Sequence, residues 1–376
     1  MNIIVAPDSF KNSMSSTAVC QIVKAQWLSV RPSSNVKTFP LADGGEGTSD
    51  IIGEYLGAEK IIVETTDPLN RKINAHFYML DNVAYIEMAA ASGLTLLTDC
   101  ERDPHITSTY GTGQLLLKAL DRGATKLILG LGGTATNDAA HGLLTALGIR
   151  FLDDKGLVIS SGGLALSKLV SINTEKLDPR LSTAEICLAT DVTNRFSGAE
   201  GATNIFGPQK FPSGKDIGDD LVSLEKSLQQ FRHVVKRQTN SDLNSYIGGG
   251  AAGGAGAALQ ALMGAKYFSG IDLVISLFGF EEALAWADLV ITGEGRLDSQ
   301  SMQGKVISGV LTLAQRNQVP VFAVVGSIDT PLDEFYRAGL KAAFSIINKP
   351  QTLDEALENG AENLAMCIEN IARVVD

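Results

Sequence analysis

KIIVETTDPLNRKINAHFYMLDNVAYIE, residues 60–87, decides how the rest of the chain folds. Apolar side chains recur there at every second position, so 61–64, 74–79 and 83–86 read as strands, with Asp81-Asn82 as the hairpin turn between the last two. The residues before it follow another rhythm. Residues 2–6 are a compact apolar run ending at Pro7-Asp8, which reads as a central parallel strand. Ser15-Ser16-Thr17 then offers caps to a helix with Val19, Ile22, Val23, Trp27 and Val30 on one face, and 36–41 reads as a second strand. A meander does not belong inside such a β-α-β unit, so 60–87 marks the entry into a second domain. From Asp288 the strand-helix alternation resumes, with strands at 289–292, 319–325 and 342–347, a helix near 306–314 and a final helical stripe from Leu353 to Ile371.

Two strands at the start and three at the end make a five-stranded open parallel sheet. The expected fold class is therefore α/β in two domains: a discontinuous flavodoxin- or Rossmann-like domain over 1–66 and 286–376, and a mixed α/β domain inserted at 67–285. The active site is expected in the cleft between them. A length of 376 residues independently favours two domains over one core.

Within the inserted part, 130–142 reads GLGGTATNDAAHG, a glycine-rich turn between the apolar run 126–129 and a helix carrying Leu143, Leu144 and Leu147. Glycines admit close backbone approach, and a helix start favours an anion such as phosphate. Gly132, Gly133 and Thr134 could cradle that phosphate; Thr136, Asn137 and Asp138 add groups that a phosphate-and-metal site could use. Another glycine pair, Gly111-Thr112-Gly113, precedes a helix at 114–120, and the small residues of the run 248–258 suggest tight packing or ligand approach.

Ligands of open α/β sheets bind beyond the carboxyl ends of the strands. After the first strand come Asp8, Ser9 and Lys11; after the second, Asp43, Gly44, Gly45 and Glu46; after the third, Glu294, Gly295, Arg296 and Asp298; after the fourth, Gly326 and Ser327. So many charges at strand mouths point to chemistry. No GxxxxGK[ST] occurs and no GxGxxG follows the first strand, which excludes a P-loop and disfavours a dinucleotide fold.

The balance of 42 acidic against 31 basic residues, a net charge of −11, makes nucleic acid and anionic membranes poor partners. Cys20, Cys100, Cys187 and Cys367 lie far apart with no CxxC, and read as reduced core thiols. MNIIVAPDSF has no basic leader, and no stretch has the length of a membrane span, so the expected location is the cytoplasm.

APDSFKNS, LADGGEGT, TYGTGQLLLKAL, GLGGTATND, TDVTN, FGPQK, GGGAAGGAGAAL, FSGID and ADLVITGEGRLDSQSMQGK resemble, in order and over nearly the whole chain, the glycerate kinase family. The chain departs from that family's pattern at Asn12, at Asp67-Pro68-Leu69-Asn70, which lacks flanking glycines, at Ala139-Ala140-His141 and at Arg195-Phe196, all beside the motifs' polar residues. The resemblance implies a two-domain α/β kinase that phosphorylates D-glycerate with Mg²⁺-ATP, usually to 2-phosphoglycerate in this branch. Phosphoryl transfer asks the protein to position two substrates, neutralise phosphate charge and orient a hydroxyl. Lys11 and Arg296 would bind anionic oxygens of phosphate or glycerate. Asp43, Glu46 or Asp191 would hold Mg²⁺ or accept the hydroxyl proton, and Asp298 joins the acids that argue for a metal. D-glycerate and ATP are the expected partners, with self-association left open. The alternatives are transfer to the 3-hydroxyl, another small hydroxy acid as acceptor, or a non-catalytic organic-acid binder.

Overall fold

A computed structural model of the protein describes residues 1–45, 47–302 and 304–375. In chain order the strands are β1 (Asn2–Val5), β2 (Asn35–Thr38), β3 (Glu59–Thr66), β4 (Lys72–Leu80), β5 (Val83–Glu87), β6 (Lys126–Gly130) and β7 (Arg150–Leu152). They continue with β8 (Ser171–Asn173), β9 (Glu185–Ala189), β10 (Lys266–Phe268), β11 (Leu289–Leu297), β12 (Val321–Ile328) and β13 (Leu340–Ser345). The chain forms two compact units, one of Met1–Asp43 with everything from Ser269 onward, the other Gly44–Phe268.

The first unit is built on a five-stranded parallel sheet ordered β2-β1-β11-β12-β13. Ile3, Ile4 and Val5 have no exposed surface, as a strand covered on both faces requires. Helix Ser16–Val30 starts where the Ser15 hydroxyl accepts the Ala18 N–H at 3.2 Å. Its buried face, Val19, Val23 and Trp27, packs with Leu364, Ile368 and Ile371 of helix Gly360–Val374 against β1 and β11. The final stripe is two helices, because Asn359 separates Leu353–Glu358 from Gly360–Val374. β11 runs past Thr292, where the apolar run ends, to Leu297, so Glu294 and Arg296 are strand residues paired in register with Val325 and Ser327.

The second unit carries a six-stranded mixed sheet ordered β10-β9-β6-β5-β4-β3 and the small antiparallel pair β7-β8. β5, β6, β9 and β10 are parallel; β3 and β4 are antiparallel, joined to β5 through Asp81 at φ 51°. The boundaries fall at 43/44 and 268/269, earlier than the expected 66/67 and 285/286. The reason is that β3 pairs with β4 along its whole length, from Glu59↔Met79 to Thr66↔Lys72, which draws 44–66 into this unit. At the other boundary, the Ser269 side chain caps helix Gly270–Phe278 of the first unit.

Gly111 and Gly113 lie inside helix Tyr110–Asp121, where added Cβ atoms would stand 1.9 Å from the Thr66 carbonyl oxygen and 2.5 Å from that of Leu143. They serve packing. Helix Ala251–Met263 is interrupted by left-handed Ala252, Gly253 and Gly254. Four of the departing residues keep glycine-like backbone: Asn12, Asn70, Ala139 and Ala140 have φ of 62°, 63°, 50° and 57°. Asn tolerates this region, whereas each alanine costs about 1–2 kcal/mol there. The four cysteines are free, and Cys20 and Cys187 are buried; Cys100 is exposed, because the Thr98–Glu101 capping box holds it in a surface turn. Among the described residues, no helix is long and apolar enough to cross a membrane.

Candidate functional site

In the first unit the chain runs from β1 to β2 on one side and from β11 to β12 and β13 on the other, so β1 and β11 flank the topological switch point. The loop after β1 is tied to this edge: the Asp8 N–H donates to the Gly293 carbonyl at 2.8 Å, and Ser9 N–H donates to Asp8 Oδ1 at 2.6 Å. Phe10 and Met14 close a tight turn through Asn12, and the Ser13 hydroxyl donates to the Leu357 carbonyl at 2.8 Å. Backbones crowd at the strand ends, since a Cβ on Gly326 would lie 2.3 Å from the Gly295 carbonyl oxygen. Beyond these ends opens a cavity of about 580 Å³. Asp8, Ser9, Lys11, Asp43, Glu294, Arg296, Asp298 and Lys305 line its polar part.

Two of its carboxylates are tuned by their surroundings. Burial, with smaller contributions from Asp8 and Asp298, pushes the pKa of Glu294 up to about 7 against the pull of Ser301 and Lys305. Glu294 is 8% exposed, and its buried Oε1 accepts no hydrogen bond. Burial and the Asp43 charge push Asp8 up to about 6, with the Ser9 N–H and Lys11 opposing. Arg296 is already engaged, its Nε 2.6 Å from Asp329 Oδ2 and 3.8 Å from Asp298 Oδ2. Asp298 also accepts the Gln300 N–H at 2.8 Å. Lys305, which sequence reasoning passed over, precedes helix Val306–Arg316 and faces the same cavity.

Of the remaining candidates, Glu46 lies outside the described residues, and Gly44 and Gly45 begin the second unit. Gly44 has φ 84°, and the Gly45 carbonyl accepts the Thr48 hydroxyl at 2.8 Å. The register Gly130↔Ala189 puts Gly132, Gly133 and Thr134, beyond β6, at the same sheet edge as Asp191, beyond β9.

Asn137 and Asp138 differ from expectation, for both are fully buried. Asp138 Oδ2 accepts Thr109 N–H at 3.0 Å, the Thr109 hydroxyl at 2.9 Å and Gly142 N–H at 3.1 Å. The anion at this helix start is thus the protein's own carboxylate, and the helix, His141–Ala146, is only six residues long. Asn137 Nδ2 donates to the Thr203 hydroxyl at 3.0 Å. Lys210, missed from sequence, is buried here and donates to the Thr136 carbonyl at 2.6 Å; burial, opposed by Asp138, lowers its pKa to about 8. His141 is 2% exposed, and burial holds its pKa below the usual imidazole range.

Among the described residues, no three His, Cys, Asp or Glu groups converge as a cation cage. Mg²⁺ carried by nucleotide phosphates needs only one or two carboxylates. Asp8 and Asp43 fit that need, as two acids lining one cavity whose mutual repulsion a cation would relieve.

The profile described as the Glycerate kinase family matches residues 3–376. A glycerate 2-kinase of Escherichia coli (strain K12) is 42% identical over 375 residues, covering 99% of this chain and 97% of that protein. A glycerate kinase of Bacillus subtilis (strain 168) is 41% identical over 374 residues, covering 99% and 97%. A crystal structure assigned as glycerate kinase 2 from Salmonella typhimurium LT2 superposes with a TM-score of 0.87 at 42% identity, covering 99% of this chain and 97% of that one.

Proposed function

The chain belongs to the glycerate kinase family and is a kinase with an alcohol acceptor, and from that premise we propose that it transfers the γ-phosphoryl group of ATP to D-glycerate, giving 2-phospho-D-glycerate. The observation that carries this is the buried Glu294 carboxylate at the switch point, which shares one cavity with Lys11 and Lys305. A cavity of about 580 Å³ suits a nucleotide-sized ligand. The name of the Escherichia coli relative favours the 2-hydroxyl.

Glu294 is assigned as proton acceptor for the attacking hydroxyl, because a carboxyl titrating near 7 combines a deprotonated fraction with useful basicity at neutral pH. Lys11 and Lys305 bind anionic phosphate oxygens. Arg296, oriented by Asp329, presents its remaining guanidinium donors at the rim. Asp8 and Asp43 would hold Mg²⁺, which when bound offsets the charge of the phosphates. Within the second unit, Asp191 is proposed as a functional acid, at the same sheet edge as Gly132, Gly133 and Thr134.

The reading is tested by ATP consumption over glycerate, tartronate, glycerol and other hydroxy acids, with and without Mg²⁺. Turnover with D-glycerate and Mg²⁺ well above the others is expected. No ATP loss with any acceptor would overturn it.

A further inference from the structure

The same cavity has a second half of different chemistry. Ile346, Ile347, Leu353, Ala356 and Leu357 line it beyond the end of β13, and Leu353 is 72% exposed and Ile347 37% exposed although both are large and apolar. Gln351 sits among them. Both ends of its amide, Oε1 and Nε2, are shielded from solvent and have no hydrogen-bond partner. An unpaired shielded amide is unfavourable at both its donor and its acceptor, so a turn of the Gln351 side chain that brings both ends onto a ligand in the cavity is favoured.

We infer that this apolar half takes the adenine ring of the phosphoryl donor and that Gln351 reads the edge of the base. A flat heteroaromatic ring fits between aliphatic side chains, and a glutamine amide matches adenine at two points, donating to the ring nitrogen N7 and accepting from the exocyclic N6 amine. Guanine offers two acceptors at that edge, so one end of the amide stays unpaired whichever way it is turned. β13 lies three strand spacings from β1, roughly 14 Å. That separation sets the base at one end and the phosphates at the other, beside Lys11, Lys305 and Glu294. The inference rests on the phosphoryl-donor reading above, and adds the specificity residue.

The experiment compares the full-length protein with Gln351→Leu and Gln351→Asn, measuring kcat and KM for ATP, GTP and 7-deaza-ATP at saturating D-glycerate, and KM for D-glycerate at saturating ATP. The unaltered protein is expected to prefer ATP over GTP by about 10- to 100-fold and to lose part of that preference with 7-deaza-ATP. Gln351→Leu should raise KM for ATP by about 10- to 100-fold, bring the ATP-to-GTP ratio close to one and leave KM for D-glycerate unchanged. Gln351→Asn, with the amide drawn back, should fall between. An unchanged ATP-to-GTP ratio in an active Gln351→Leu protein overturns the inference while sparing the kinase reading, as does a rise confined to KM for D-glycerate. Absence of ATP turnover in the unaltered protein removes both. Unfolding curves identify a variant that has lost its fold, in which case the 7-deaza-ATP comparison on the unaltered protein decides: equal use of both nucleotides overturns the N7 contact.

Discussion

The backbone N–H of Asp8 donates to the carbonyl of Gly293 at 2.8 Å, one residue ahead of Glu294. That bond carries the β1–β11 pairing past the end of β1 and turns two carboxylates into the same cavity. Its consequence is electrostatic: Glu294 is buried and Asp8 half-buried, both are drawn out of water, and each charge disfavours another charge beside it, so both pKa values rise.

This predicts an acid limb in the pH dependence of kcat/KM. The proton acceptor must be unprotonated, so the rate should rise through an apparent pKa near 7, the value of Glu294. Glu294→Gln should lower kcat by about 10²–10⁴-fold and abolish that limb. A variant that is equally active with the same limb would assign the proton to another group.

Stability should move the other way. Glu294 titrates near 7 when folded and near 4.5 otherwise, so between those values the unfolded chain releases a proton that the folded chain retains. Stability therefore falls as pH rises across that window, and the penalty is complete above it. Glu294→Gln should relieve roughly 1–3 kcal/mol of it at pH 8 and nothing at pH 4. Urea unfolding at both pH values measures the difference. An equal change at both would mean that Glu294 acts through packing.

Asp43→Asn and Asp191→Asn should each lower turnover by about 10²–10⁴-fold with unfolding curves unchanged. Raising Mg²⁺ should restore part of the Asp43→Asn loss, because a weakened cation site is refilled by mass action. Near-normal kcat for Asp191→Asn would contradict a functional role for that carboxylate.

A fourth expectation concerns the glycine-rich run 248–258. Gly253 and Gly264 have nearly equal φ, 65° and 67°, but a Cβ on Gly253 would stand 2.2 Å from the Thr136 carbonyl oxygen, whereas one on Gly264 meets nothing within 4 Å. Gly264→Ala should cost about 1 kcal/mol from backbone alone, and Gly253→Ala roughly 3 kcal/mol or more as the overlap adds. Equal losses in thermal unfolding would show that the run does not brace the loop at Thr136.

Much of this was legible in the chain. The period-2 pattern at 60–87 located β3, β4 and β5, and the apolar runs at 2–6 and 289–292 located the two central strands. What escaped was set by pairing and burial. β3 reads as a strand in either unit; only its partner β4 assigns it. Glu294 reads as a loop acid because its neighbours are glycines, yet those glycines let β11 run on beside β12, and this buries it. Asp138 looks like a ligand group beside glycines, but Thr109, distant in sequence, claims its oxygen. Gln351 has no local signal at all, for an unpaired amide is visible only when its surroundings are known.

The most direct test of the central claim is ³¹P NMR of the product formed from ATP, D-glycerate and Mg²⁺. Transfer to the 2-hydroxyl places phosphorus next to a single carbon-bound hydrogen, so the new phosphomonoester resonance should be a doublet in the proton-coupled spectrum, growing as the γ-phosphate signal declines. A triplet would mean transfer to the 3-hydroxyl, and ADP with free phosphate but no new phosphomonoester signal would contradict phosphoryl transfer to glycerate altogether.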